Sequence, residues 1–311
     1  MAINAVIDRT LDTFVCKWAE NAIKNGQRQD THDLGDIQAK LDVDMVIVCG
    51  TGPSLNADMG RLFEISKEEK NTAIIANHSN LATLLFRGIA PDYVVITDSQ
   101  EPTFLRLQRD VLPHFKAMLK KKHTAFILPT HANIELVNLL TAHKMPVYFF
   151  LAAIRQEQDN LFSRLYNTVL SVSGGTGFKT FIMQAGSVSN AAVLVCQALK
   201  MLDKLPNLKN VVLSGVDYSY PNGWTRCEQV TWNAETRDFD INGWPEFLGP
   251  EIRRVRYNGL ETSEEQVEYM KDLRFIYWNM IEANKAKNEQ PFDLWTSSDN
   301  FIHDFLPIWK L

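Results

Sequence analysis

Asp98, His131 and Asp217 each follow a short apolar run of this 311-residue chain. From the tip of a strand, a carboxylate or an imidazole can take a proton from a hydroxyl. Further upstream, Cys49-Gly50-Thr51-Gly52-Pro53-Ser54-Leu55 closes the β-branched run Met45-Val46-Ile47-Val48. The glycines permit a sharp turn with main-chain amides close to a ligand, and a helix that follows would offer its positive end to phosphate. Gly50, Thr51, Gly52, Pro53 and Ser54 are therefore candidate binders of a phosphate-bearing ligand. The bland alternative is a βα turn that binds nothing. The ligand reading predicts that Gly52→Val abolishes nucleotide binding and leaves the domain folded.

Other residue groups extend the candidate site. Asn77 ends the second apolar run, and Gly186-Ser187-Val188-Ser189-Asn190 opens a helical stretch. Gly186, Ser187 and Asn190 either bind ligand at that helix start or only allow close packing there. Tyr218, beside Asp217, joins the binding candidates. An acid at a strand tip can also simply cap the next turn, but Asp98 and Asp217 occur in one sheet beside a glycine turn. His131, in Pro129-Thr130-His131-Ala132-Asn133, is the histidine best placed as a general base, with His78 second. Its alternative is a solvated imidazole in a helix-capping segment.

Two familiar nucleotide motifs do not fit. A dinucleotide fingerprint needs a third glycine where Leu55 stands and an acid where Asn77 stands, so NAD and FAD are not expected. In Ser173-Gly174-Gly175-Thr176-Gly177-Phe178-Lys179-Thr180, Phe178 breaks the P-loop spacing. That segment reads as a loop near the site.

These residues need a scaffold, and the pattern supplies one. Strands are predicted over 45–49, 72–76, 93–97, 125–128, 147–150 and 211–214, with helices between them over 81–87, 104–121, 134–143 and 188–202. Such alternation predicts a Rossmann-like α/β fold: a mostly parallel sheet, helices on both faces, and ligand beyond the carboxyl ends of the strands. An amphipathic amino-terminal helix with Ile3, Ile7, Leu11, Phe14, Trp18 and Ala22 on one stripe precedes it. The expected organisation is therefore 1–40 helix and linker, 41–220 Rossmann-like domain, and 221–311 lid segment and helical cap. A hairpin is placed at Asn242-Gly243, and a long helix over 263–288. Residues 221–259 would form a lid.

Composition narrows the partners. Apolar residues make up 45%, charged residues 22%, and the formal charge is −5, so no global basic field draws nucleic acid. Nucleic acid is not the expected partner, although a nucleic-acid base stays among the acceptors. Cys16, Cys49, Cys196 and Cys227 form no CxxC pair, and three of them sit in apolar settings that suggest small buried hydrophobes rather than disulfides or metal ligands. No apolar run nears the ~20 residues of a membrane span. Asp8 and Arg9 argue against a signal peptide, so a cytoplasmic setting is expected.

Taken together, Cys49–Leu55, Gly88-Ile89-Ala90-Pro91-Asp92-Tyr93, Gly186–Ala191 and Val211-Val212-Leu213-Ser214-Gly215-Val216-Asp217-Tyr218 resemble the MptE-like family. That family joins archaeal 6-hydroxymethylpterin diphosphokinases with motility-associated-factor flagellin glycosyltransferases. The resemblance covers about residues 40 to 220. It implies a nucleotide-dependent transferase, with glycosyl transfer from an NMP- or NDP-sugar (CMP- or UDP-type) to a hydroxyl favoured. The alternatives are an ATP- and magnesium-dependent diphosphokinase, and a nucleotide-binding module without catalysis. The diphosphokinases carry Thr-Asp-Leu-Asp-Gly where this chain has Thr97-Asp98-Ser99-Gln100, and a His-rich strand end reduced here to His131-Ala132-Asn133. The helix start Gly186-Ser187-Val188-Ser189-Asn190 looks like the glycosyltransferase branch. That branch tends to carry a histidine after the last strand, where this chain has Trp224-Thr225-Arg226-Cys227.

Overall fold

The computed structural model describes residues 16–68, 70–97, 101–153, 178–183, 187–219, 226–242, 254–257, 260–287, 291–297 and 306–309. Its centre is a parallel sheet. The strands are β1 (His32–Asp33), β2 (Met45–Cys49), β3 (Thr72–Asn77), β4 (Tyr93–Val95), β5 (Ala125–Pro129), β6 (Val147–Ala153), β7 (Phe181–Met183), β8 (Asn210–Ser214) and β13 (Asp293–Thr296). They lie in the order β1-β6-β5-β4-β3-β2-β8-β13, with β7 pairing on β6. Every pair in this sheet is parallel.

Period-two alternation sorts the two cores. Ile47, Cys49, Ile74 and Ala76 face one way, into a core shared with α2 (Leu55–Glu68), α3 (Leu81–Phe86), α5 (Leu112–Lys122) and α6 (Ile134–Ala142). Val46, Val48, Ala73 and Ile75 face the other way, onto α7 (Val188–Met201) and α8 (Glu264–Lys287). Strands buried on both faces explain the near-continuous apolar runs in the sequence. A described helical stretch over 16–26, α1, buries Ala22 and packs Trp18 on the first core. No described helix is long and apolar enough to cross a membrane.

The topology fixes where a ligand can enter. From β2 the chain steps outward through β3, β4, β5 and β6, then returns through α7 to place β8 on the other side of β2. Between β2 and β8 the strand order reverses, and a crevice opens there at the carboxyl ends of the strands.

Several elements differ from the sequence expectation, each for a physical reason. The helix expected over 104–121 starts at Glu101 as α4 (Glu101–Arg106) and widens into a π turn, Leu107–Val111, before α5. Pro113, in the first turn of α5, has no N–H to give the preceding turn, and the widened turn accommodates it. A hairpin formed by β9 (Gln229–Asn233) and β10 (Asp238–Asn242) turns at residues 234–237; the turn expected at Asn242-Gly243 lies outside the described residues from Gly243 on. In the 234–237 turn Asn233 Oδ1 accepts from the amides of Glu235 (2.9 Å) and Thr236 (3.3 Å), and Arg237 takes a left-handed φ of 55°. A second hairpin, β11 (Arg254–Tyr257) with β12 (Leu260–Ser263), leads into α8.

Candidate functional site

Two loops meet at the reversal point, and they meet backbone to backbone. Gly50 N donates to Ser214 O at 2.7 Å, and Gly52 N to Gly215 O at 2.6 Å. A Cβ on Gly50 would lie 2.7 Å from the Gly215 carbonyl carbon, and one on Gly52 would lie 2.8 Å from Gly215 O and against the Asp217 carboxylate. Gly215 itself has φ +70°, and a Cβ there would stand 2.6 Å from Leu55 Cβ. The glycines are thus required by loop-to-loop contact. Asp217 completes the joint: its carboxylate accepts from Ser54 N at 2.9 Å and from Ser54 Oγ at 2.5 Å, capping the start of α2.

This removes most of the main-chain cradle expected for phosphate. The amides of Gly50, Gly52, Ser54, Leu55, Asn56 and Ala57 all donate within the protein. A carboxylate already occupies the helix start that an anion would use. For the same reason, a side chain at Gly52 strikes Asp217 and disturbs the fold itself, so an intact fold after Gly52→Val is not expected.

The crevice beside this joint has a volume of about 160 Å³, below the ~300–1,000 Å³ of a site that envelops a small ligand. Thr51, Gly52, Asn77, Ser187, Asp217 and Tyr218, all candidates from the sequence, line it. Gly50, Pro53, Ser54 and Asn190 stand behind this lining, while Asp98 and Gly186 lie outside the described residues. Asn77 Oδ1 is spent on the amides of Ser79 (2.9 Å) and Asn80 (3.0 Å), which leaves its Nδ2 without a partner among the described residues.

Asn190 is fully buried and acts as a bracket. Its Nδ2 donates to Tyr269 O at 2.9 Å and to Asp272 at 3.0 Å, its Oδ1 accepts from the Tyr218 hydroxyl, and its amide bonds Ser187 Oγ at 3.2 Å. These bonds tie α7, α8 and the Asp217 loop together, in place of the ligand contact expected of Asn190. Tyr218 is held in a left-handed conformation, φ 49°, while its carbonyl accepts from Thr262 Oγ1 at 2.6 Å. Burial pushes its phenol pKa up, so it remains a neutral donor.

His131 is not brought to the crevice. It is 3% exposed and stacks on Trp18 with ring centroids 4.6 Å apart. Burial drives its pKa down to about 3 from 6.5, and an imidazole so placed has no route to an acceptor's proton. Its expected role as base is withdrawn on that geometry. The consequence lies in stability. Below pH 6.5 the unfolded chain takes up a proton that the folded imidazole refuses until about pH 3. Stability is therefore full above pH 6.5 and falls as the pH drops through that window. Thermal melts of His131→Phe should show a flatter decline between pH 6.5 and 4 than wild type; parallel curves would remove the assignment.

Some site residues escaped the sequence reading. Ser79, Ser189, Ser219, Gln266 and Tyr269 also line the crevice. Ser79 and Asn80 follow Asn77-His78 and are legible as a strand-tip cluster. Gln266 and Tyr269, three apart on one face of α8, carried no signal, because only the tertiary fold brings that helix here. Asn80 holds the glycine turn from the β3 side, donating to Cys49 O and Gly50 O at 2.7 Å each. Behind the turn, Asp58 accepts from Ser214 Oγ and Ser297 Oγ, each at 2.6 Å. Burial raises its pKa first and the Asp217 charge adds to this, against the two hydroxyls.

The segment read as a lid is only partly described. Its 226–242 portion is fastened to the flank of the domain through Thr83, Asp110 and the ring cluster of Phe86, His114, Trp232 and Phe239. None of its described residues lines the crevice. Lys179 and Thr180 of the glycine-rich segment donate their amides to Asp33, away from the crevice, and residues 173–177 lie outside the described residues. Among the described residues, no three His, Cys, Asp or Glu side chains converge as a metal centre requires.

The fold is similar to a solved structure, the MAf glycosyltransferase from Magnetospirillum magneticum AMB-1, with a TM-score of 0.55 and 14% sequence identity. The similarity takes in 96% of this chain but only 38% of that one, so this chain spans well under half the length of that protein. At that identity the likeness establishes the fold. No curated protein matches the chain. The profile of the 6-hydroxymethylpterin diphosphokinase MptE-like proteins matches residues 18–223, which include β1 to β6, the glycine turn, α7 and the Asp217 loop. On that match, the chain belongs to the MptE-like family.

Proposed function

We propose that the protein is a nucleotide-dependent transferase that moves a glycosyl group from an NMP- or NDP-sugar to a hydroxyl. The observation that carries this reading is the position of Asp217 at the reversal point between β2 and β8, on the wall of a polar crevice. Family membership and the fold shared with a glycosyltransferase support it. Thr51, Asn77, Ser189 and Ser219 offer hydroxyl and amide groups to part of the donor. Asp217 takes the proton of the acceptor hydroxyl as its oxygen attacks the sugar's anomeric carbon. The bond from that carbon to the phosphate oxygen breaks, and the electron pair leaves on the phosphate. Asp98, three residues beyond β4 in the sequence, is the other carboxylate to which this reading assigns proton transfer.

The family's other activity, diphosphate transfer from ATP with magnesium, would use the same crevice. A thermal-shift panel of CMP, UDP, their sugar conjugates and ATP, each with and without magnesium, separates the readings when followed by a donor-turnover assay. Stabilisation and turnover with a sugar nucleotide are expected. A response to ATP with magnesium alone would transfer the assignment to the diphosphokinases, and binding with no turnover of any donor would leave a binding module.

A further inference from the structure

Gly50, Gly52 and Ser54 spend their amides internally, so most of a donor's negative charge must be met elsewhere, and two arginines with a histidine lie beside the crevice. Thr51 O, on the crevice wall, accepts from Cys227 N at 2.7 Å, which places Arg226 next to the turn. Gln229 Nε2 reaches Cys227 Sγ at 3.3 Å, and Gln229 Oε1 accepts from Arg106 Nη2 at 2.5 Å. From the β3 side, His78 Nε2 stands 3.0 Å from the hydroxyl of Ser79, another lining residue. Arg106, Arg226 and His78 thus converge on one flank of the crevice.

The charge here is that of the two guanidinium groups. The nearby carboxylates are engaged by other arginines: Glu228 pairs with Arg87 at 2.6 Å and Asp110 with Arg109 at 2.7 Å. Among the described residues neither Arg106 nor Arg226 makes an ion pair. Arg106 Nε and His78 Nδ1 are buried with no hydrogen-bond partner among the described residues. Burial, then the charges of Arg106 and Arg226, hold the His78 pKa down to about 3, so its ring is neutral and contributes hydrogen bonding rather than charge. Burial foremost, with Arg226 adding to it, lowers that of Arg106, although Asp110 opposes. A buried guanidinium N–H and imidazole N left unpaired are costly, and such groups at a cleft mark a place completed by something else.

We propose that Arg106, Arg226 and His78 form an oxyanion subsite that receives the phosphate or diphosphate of the donor. The planar guanidinium fork suits phosphate oxygens. The proposal rests on the transferase reading and deepens it: the anion is gripped by side chains of α4 and of the segment entering β9, while the small crevice takes an uncharged part of the donor.

The test is calorimetric binding of inorganic pyrophosphate, CMP and UDP, with cytidine and uridine as uncharged counterparts, at low and high ionic strength. Arg226 is exposed and without a hydrogen bond among the described residues, so Arg226→Ala and Arg226→Glu should melt as wild type does. Arg226→Ala should weaken pyrophosphate and nucleotide binding about tenfold or more and leave the nucleosides unchanged. Arg226→Glu should abolish pyrophosphate binding. Arg106→Lys keeps the charge without the fork and should fall between wild type and Arg226→Glu. Pyrophosphate affinity that is equal in all four proteins and indifferent to salt overturns the subsite; nucleotides that still bind would then leave the transferase reading standing. Pyrophosphate binding that the variants abolish, with no affinity for any nucleotide, would keep the subsite and sink that reading. A wild type that binds neither ends both.

Discussion

Gly50→Ala is expected to destabilise the protein by about 3 kcal/mol or more, at the upper end of overpacking costs. The added methyl would stand inside van der Waals contact with the main chain of Gly215 and 2.8 Å from Val216 Cγ2. Neither neighbour can move cheaply, because Gly50 N and Gly52 N are bonded to the same loop. Gly52→Ala should cost a similar amount, since its methyl meets Asp217 and displaces the carboxylate from Ser54. Gly60 supplies the control. It lies in α2 with nothing within 4 Å of a built Cβ, so Gly60→Ala should stabilise by up to ~1 kcal/mol through helix propensity. Urea unfolding of the three variants checks the set. A wild-type midpoint for Gly50→Ala would mean that the two loops do not meet as described.

Asp217→Asn should lower turnover by about 10²–10⁴, the usual worth of a positioned general base. It also has a structural effect. Asparagine keeps one acceptor for Ser54 but presents an N–H₂ to the other donor, a loss of about 1–3 kcal/mol. Ser54→Ala separates the two roles, because it removes the hydroxyl partner and leaves the carboxylate in place. If Asp217 takes the acceptor's proton, Ser54→Ala should keep turnover within about tenfold of wild type while losing about 1 kcal/mol of stability. Equal loss of turnover in Asp217→Asn and Ser54→Ala would reduce Asp217 to a cap on α2.

Much of the scaffold was legible because buried parallel strands write themselves plainly. Met45–Cys49 was read to the residue, and five further strand tips were placed within a few residues. The elements that escaped are short: β7 and β13 have three and four residues and are defined by the strands they pair with. The hairpin turn at residues 234–237 depends on Asn233 folding back on two amides, and no glycine or proline announces it. The candidate site was legible only as a set of residue types. Asp217 and the glycine turn were singled out separately, yet nothing in their spacing shows that one caps the other.

The sequence alone therefore determined the class of the protein: alternating apolar and helical periods specify a parallel α/β sheet, glycines specify a close approach at its first turn, and four motifs in order specify the family. Tertiary structure decided what those residues do. It turned the glycine amides onto Gly215 and Asp217, buried His131 against Trp18, made Asn190 a bracket and gathered Arg106, Arg226 and His78 on one flank. The physical reason is locality. Backbone preference and burial period act over a few residues and survive in a linear reading, whereas hydrogen-bond partners and unmatched charges depend on which distant loops share one end of the sheet.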